Sequence, residues 1–157
     1  MLADRALLLS LKPVYANLIL EGTKSVELRH VRPRAQPGTL AIVYASTPVR
    51  AVVGTCAVKS IGQEHPDVIW ELHGARTGLR WHEFHDYFLG RRSAVAISVE
   101  RPKRLDLPIP LDVIRSEPLR VSPPQSFRYL GGEQAAALIP QEWRDHLDRL
   151  RGSAALH

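Results

Sequence analysis

Two neighbouring segments of the chain, residues 39–45 and 49–61, are apolar on nearly every residue through their centres. The turn residues Ser46-Thr47-Pro48 separate them, so we predict two strands that follow one another along the chain. A strand that is apolar on both sides must be covered on both faces. The pair therefore predicts the centre of a sheet or barrel that is wrapped by helices.

The flanking segments alternate between strand and helix patterns. A short apolar run at residues 6–11 predicts a buried strand, and Pro13 begins a helix that Gly22 ends. Residues 25–29 alternate, which predicts a half-buried strand with a free polar face. Further patterns predict helices at residues 66–73 and 81–89, a buried strand at 94–99 and an amphipathic helix at 141–150. The fold class predicted is α+β.

The C-terminal third has a different character. Six prolines between residues 102 and 124 break any long element, so we predict a Pro-rich tail of loops and short helical turns. With 157 residues the chain has room for one core. We therefore expect a single domain over residues 1–157, with a core at about 5–105 and an extension at about 106–157 packed on it.

Cysteine content and hydropathy indicate in which cellular compartment the protein is expected. Cys56 is the single cysteine, which excludes an internal disulfide framework and fits a reducing compartment. The apolar runs are too short to cross a bilayer, and no export signal is evident at the start. We expect a cytoplasmic protein with no membrane partner.

Positive charge is concentrated in the N-terminal third. The net charge is +5, and residues 1–60 carry eight basic side chains against three acidic ones. Such a patch favours an anionic partner, above all a nucleic acid. The alternative is an arginine-rich surface that serves solubility.

The most informative motif is Gly22-Thr-Lys24-Ser-Val-Glu27-Leu-Arg29. Gly22 permits a tight turn from helix to strand, and Glu27 and Arg29 lie on the same strand face with Cα atoms about 6.6 Å apart. Lys24 and Arg29 would bind a phosphate, while the Glu27 carboxylate accepts a hydrogen bond from a base amino group. Alternatively, these side chains pair with the neighbouring strand and only cover the barrel mouth.

Other polar residues are placed to line the same cleft. Lys12 follows the first strand, and Arg32 and Arg34 occupy a Pro/Gly loop suited to phosphate contacts. Turn chemistry, capping and solubility are the alternative roles. These further candidate ligand-binding residues are Ser10, Lys12, Arg32, Arg34, Ser46 and Thr47.

No metal site or cofactor is predicted. His82 and His85 are three residues apart on the predicted helix and lack an obvious third ligand, so we interpret them as a solvated helix face. Trp70, Trp81 and Trp143 are interpreted as core residues rather than platforms for base stacking. No motif for a serine or cysteine nucleophile is present.

The G-x-K-x-x-E-x-R motif resembles the signature of ASCH domains, a PUA-like family associated with RNA binding. The resemblance covers roughly residues 7–130 and is greatest for ASCH proteins described as predicted transcriptional regulators. It implies a PUA-like mixed β-barrel wrapped by helices, with RNA or a nucleotide-containing ligand as partner. The other segments that carry it are Ser10-Leu-Lys-Pro13, Tyr44-Ala-Ser-Thr-Pro48-Val49, Gly54, Tyr87-Phe88 and Pro123-Pro-Gln-Ser-Phe-Arg-Tyr-Leu130.

Two functions are weighed here, and an interaction domain whose cleft holds a small metabolite stays open as a third. The first is a binding module for RNA or a nucleotide, with a regulatory role. The alternative is a hydrolase that acts on a modified nucleoside or RNA through Lys24 and Glu27, with Glu27 activating a water. Some ASCH proteins resemble amidohydrolases that use a Lys and a Thr three residues later, but Glu27 occupies that Thr position here. The pattern leaves the oligomeric state open.

Overall fold

The protein is described by a computed structural model over residues 5–155, which form one sheet with helices around it. Residues 1–4 and 156–157 of the predicted domain lie outside the described part. The strands are β1 (Arg5–Leu11), β2 (Val26–Arg29), β3 (Leu40–Ala45), β4 (Ala51–Glu64), β5 (Ala94–Pro110) and β6 (Phe127–Gly131). The helices are α1 (Pro13–Leu20), α2 (Pro66–His73), α3 (Trp81–Tyr87), α4 (Leu111–Arg115), α5 (Gly132–Leu138) and α6 (Pro140–Ala155), with a 3₁₀ turn at Gly74–Arg76.

The sheet is mixed and has the order β2-β5-β4-β3-β1-β6. β1 and β3 are parallel, and the other neighbours are antiparallel. Within residues 5–155 the edge strands β2 and β6 do not pair with each other, so the sheet does not close. The prediction of an α+β fold with helices around the strands is confirmed, whereas the mixed β-barrel that the resemblance implies is not closed among the described residues. Side-chain hydrogen bonds from Arg29 on β2 span the gap instead.

Helices cover both faces of the central strands, as their apolar character predicts. All six residues of β3 are buried. On one face Leu9 and Val43 pack under α1, and on the other Leu8 and Ile42 pack under α5 and α6. Alternate side chains thus belong to two separate cores. A third cluster joins α2 and α3 to β2 and β5, through Val26, Leu28, Ile69, Phe84, Phe88, Ala94 and Ala96.

The C-terminal third differs from the predicted loops and helical turns. β5 does not end at Val99 but continues through three prolines to Pro110, paired with β4 across several register shifts. Arg101 has a positive φ of 53°, which marks one of these irregularities. Bulges leave some backbone positions without ladder hydrogen bonds, and prolines are tolerated there. β6 was not predicted, whereas the predicted helix at residues 141–150 lies within α6.

None of the helices found in residues 5–155 is both long enough and apolar enough to cross a membrane.

Candidate functional site

The turn between α1 and β2 brings Lys24, Glu27 and Arg29 together. Gly22 adopts a φ of +86°, which favours glycine, and the backbone N–H of Lys24 donates to the Leu18 carbonyl. Lys24 Nζ lies 3.2 Å from Glu27 Oε1, and Arg29 Nη2 lies 2.5 Å from Glu27 Oε2. The two cations therefore flank one carboxylate. We call these three residues the charged triad.

The charged triad is buried, contrary to the expectation that β2 presents a free polar face. Lys24 is 2% exposed, and Glu27 and Arg29 are 7% exposed. Lys24 Nζ also donates to the Thr77 carbonyl, which follows the 3₁₀ turn. Arg29 donates to the Ser10 carbonyl at 3.0 Å and to the carbonyl and Oγ of Ser126 at 3.2 and 3.0 Å. Segments distant along the chain thus cover the polar face of β2.

Burial affects the pKa of Lys24. The pKa of Lys24 is lowered from its ordinary value of 10.5, chiefly because burial penalises the charged amine. The Arg29 charge lowers it further, while the Glu27 carboxylate opposes the shift. Lys24 therefore loses its proton at a lower pH than an exposed lysine does.

This shift predicts a pH dependence of stability that Lys24→Met should remove. Between the lowered pKa and 10.5 the unfolded chain binds more protons than the folded chain, so the Lys24 contribution to stability rises with pH. We expect the unfolding free energy of wild type minus that of Lys24→Met to increase across this window. Urea denaturation at a series of alkaline pH values measures it, with exposed Lys59→Met as control. A flat or falling difference would contradict the assignment.

An open cavity of about 380 Å³ lies over the charged triad, and we call it the triad pocket. Tyr15 and Tyr87 contribute aromatic walls, and Lys24 Nζ lies 5.3 Å from the centroid of the Tyr15 ring. The Tyr87 ring stacks on His30 at 4.1 Å. Burial raises the pKa of both tyrosines. Ser10, Lys12 and Glu83 complete its polar lining.

A second cavity of about 660 Å³ adjoins the first, and we call it the basic cleft. Both are lined by Ser10, Leu11 and Lys12 at the end of β1. The three basic residues of the cleft, Lys12, Arg50 and Arg115, are exposed, and no Asp or Glu is among its described lining residues. Its hydroxyl groups come from Ser10, Tyr44, Ser46 and Thr47.

The predicted site residues fall into two groups. Seven of them line the triad pocket, the basic cleft or both, whereas Arg32 and Arg34 line neither. Arg32 donates to the Ile61 carbonyl, and the Arg34 backbone N–H donates to the Tyr129 hydroxyl. The seven are Ser10, Lys12, Lys24, Glu27, Arg29, Ser46 and Thr47.

Sequence reasoning missed the two arginines of the basic cleft. Arg50 follows the Ser46-Thr47-Pro48 turn that marked the neighbouring candidates, and its positive φ of 49° turns the chain into β4. That turn was the available signal. Arg115 ends α4, in the segment interpreted as loops and helical turns.

In the part of the chain that the structure covers, no group of three or more His, Cys, Asp or Glu side chains could hold a metal ion. His85 of α3 instead stacks on Trp81, with ring centroids 4.8 Å apart.

Comparison with known proteins extends the resemblance. Residues 9–102 match the family model of the ASCH domain. A protein of Zymomonas mobilis named ASCH domain-containing ribonuclease is 30% identical over 131 residues, which cover 83% of this chain and 88% of that protein. The crystal structure of ASCH from Zymomonas mobilis matches with a TM-score of 0.81 and 29% identity, covering 86% of this chain and 94% of that one. A crystal structure from Agrobacterium tumefaciens (TM-score 0.52, 13% identity, covering 90% and 92%) shares the fold alone.

Proposed function

Since this chain belongs to the ASCH domain family, we propose that it binds single-stranded RNA and cleaves it. The observation that carries the proposal is the junction of the triad pocket and the basic cleft at Ser10–Lys12. One strand can thus place a nucleoside over the charged triad and its phosphates along the cations. The related protein named a ribonuclease favours cleavage over the binding module that the sequence pattern placed first.

The basic cleft is the proposed track for the phosphates. Exposed Lys12, Arg50 and Arg115 can each neutralise a phosphate charge without losing an internal partner carboxylate. The Ser46 and Thr47 hydroxyls add donors. Such contacts position the strand and do not depend on its sequence.

The triad pocket is the proposed site for one unpaired nucleoside. Its volume of about 380 Å³ lies within the range of small-molecule sites. Tyrosine walls suit the face of a base, because bases in single-stranded RNA stack on aromatic side chains. Arg29, which lines the pocket, has a buried Nε with no hydrogen-bond partner among the described residues.

Lys24 is the proposed proton acceptor. Both Glu27 oxygens are engaged by Lys24 and Arg29, so we assign Glu27 to positioning the amine rather than to activating a water. The neutral Lys24 amine takes the proton of a 2′-hydroxyl, and the 2′-oxygen bonds to phosphorus. The bond from phosphorus to the 5′-oxygen breaks, that oxygen takes a proton from water, and the resulting hydroxide takes the proton from the Lys24 ammonium. The products are a 2′,3′-cyclic phosphate and a 5′-hydroxyl, and Lys12 stabilises the charge on the phosphate.

Several properties inferred from sequence stay predictions beside this one. They are the regulatory role suggested by the resemblance to predicted transcriptional regulators, the cytoplasmic location and the single domain of residues 1–157.

Neutralising the basic cleft should weaken RNA binding in a salt-dependent way. Lys12→Ala and Arg50→Ala should each reduce the slope of log affinity against log salt by about 0.7, the value for one phosphate contact on a single strand. Fluorescence anisotropy with a labelled twelve-nucleotide 2′-O-methyl RNA measures the slope, since that RNA lacks the hydroxyl needed for cleavage. Lys59→Ala, exposed on β4 outside both cavities, is the matched control. Slopes equal to wild type in both cleft variants would count against the phosphate track.

A further inference from the structure

Helix α3 separates the triad pocket from a further cavity. Glu83 and Tyr87 line the triad pocket, whereas Trp81 and His85 line a cavity of about 380 Å³ between α2 and α3. We call this cavity the α2–α3 pocket. A helix with its side chains is about 10–12 Å across, so a strand of several nucleotides can reach both cavities.

The most exposed tryptophan of the described chain lies at this pocket. Trp81 is 57% exposed, although the sequence pattern was interpreted as placing it in the core. Trp143 is 5% exposed, as expected, and Trp70 is partly buried against Phe84. The Trp81 ring lies nearly parallel to that of His85, with an interplanar angle of 16°. A stacked aromatic pair with an exposed tryptophan is thus presented at the surface.

One basic residue lines the same pocket as the exposed ring, and two more flank α3 in sequence. Arg91 lines the α2–α3 pocket, and Arg80 and Arg92 are exposed on either side of α3 in sequence. Asp67 is the acidic residue among the described lining, and its carboxylate lies 3.6 Å from His65 Nδ1. Aromatic platforms beside cations are the combination with which proteins bind single-stranded nucleic acid without sequence preference.

We propose that the α2–α3 pocket is a second RNA subsite, in which an unpaired base stacks on Trp81 and the adjacent phosphate contacts Arg91. The proposal rests on the proposed function, because its ligand is the strand that the triad pocket and the basic cleft hold. The subsite extends the track across α3 and makes affinity depend on strand length.

Strand length provides the test. Labelled 2′-O-methyl RNAs of four and twelve nucleotides are titrated against wild type, Trp81→Ala and Trp81→Phe. We expect Trp81→Ala to weaken binding of the longer RNA about tenfold and to leave the shorter one unchanged, whereas Trp81→Phe keeps most of the affinity. Leu107→Ala, which removes an apolar side chain that is 81% exposed on β5, is the control. Thermal melting establishes that each variant is folded.

The outcomes distinguish the two proposals. If Trp81→Ala binds the longer RNA as wild type does while Lys12→Ala binds it more weakly, the second subsite is refuted and the proposed function stands. If Trp81→Ala weakens both lengths equally, Trp81 acts through the fold and the subsite is again refuted. If wild type binds neither RNA, both proposals fail.

Discussion

Glu27→Gln is expected to lower the free energy of unfolding by about 3–5 kcal/mol, the usual cost of removing one partner from a buried ion pair. The Glu27 carboxylate compensates two cations, and all three side chains are at most 9% exposed. Glutamine keeps the shape and one acceptor oxygen but removes the charge. Lys24 and Arg29 are then left as neighbouring buried cations that repel each other.

Urea denaturation at neutral pH measures this loss, and thermal melting should show a fall in Tm on the order of 10 °C for a chain of this length. Glu21→Gln is the matched control, because Glu21 is exposed at the end of α1. Its free energy of unfolding should stay within about 0.5 kcal/mol of wild type. A Glu27→Gln effect no larger than that of Glu21→Gln would mean that Lys24 and Arg29 do not depend on this carboxylate.

The sequence predicts those parts of the fold whose signals are local. Pro13 and Gly22 bracket α1 because each residue suits the backbone it must adopt. Helix α2 spans Pro66–His73, the same residues that the pattern predicts. The apolar character of residues 39–45 anticipates that β3 is buried on both faces. The sequence also predicts that the members of the charged triad lie close together, because all three fall within six consecutive residues.

What the sequence could not supply depends on contacts between distant segments. The polar face of β2 is covered by Ser126, which is 97 residues from Arg29, and the carbonyl of Thr77 accepts a hydrogen bond from Lys24 just before β2. The alternation of polar and apolar residues along β2 does not indicate which distant segments contact its polar face. The sequence also could not show that the sheet stays open between β2 and β6, because β6 itself was not predicted.

Exposure of a helix face also depends on what packs against it. Trp81, Phe84 and Phe88 share a stripe on the predicted helix, and the structure buries Phe84 and Phe88 but leaves Trp81 exposed. The periodicity is the same in either case. Only the positions of α2 and β2 decide which aromatic ring is covered.

Lys24→Arg is expected to reduce the rate of RNA cleavage at least about a hundredfold, because general acid–base catalysis contributes about 10²–10⁴-fold. The substitution keeps a positive charge beside Glu27, but a guanidinium does not lose its proton at accessible pH. Binding of the uncleavable 2′-O-methyl RNA should change far less than the rate. A large loss in kcat with little change in affinity separates proton transfer from charge attraction.

The pH profile gives an independent readout of the same residue. In wild type the cleavage rate should rise with pH toward the lowered pKa of Lys24, because the neutral amine is the reactive form. Lys24→Arg and Lys24→Met should both lose this rise, and Lys59→Arg, on the exposed face of β4, should keep it. Product analysis for a 2′,3′-cyclic phosphate end establishes which bond is cleaved. If Lys24→Arg cleaves as fast as wild type with an unchanged pH profile, Lys24 contributes charge alone and another group accepts the proton.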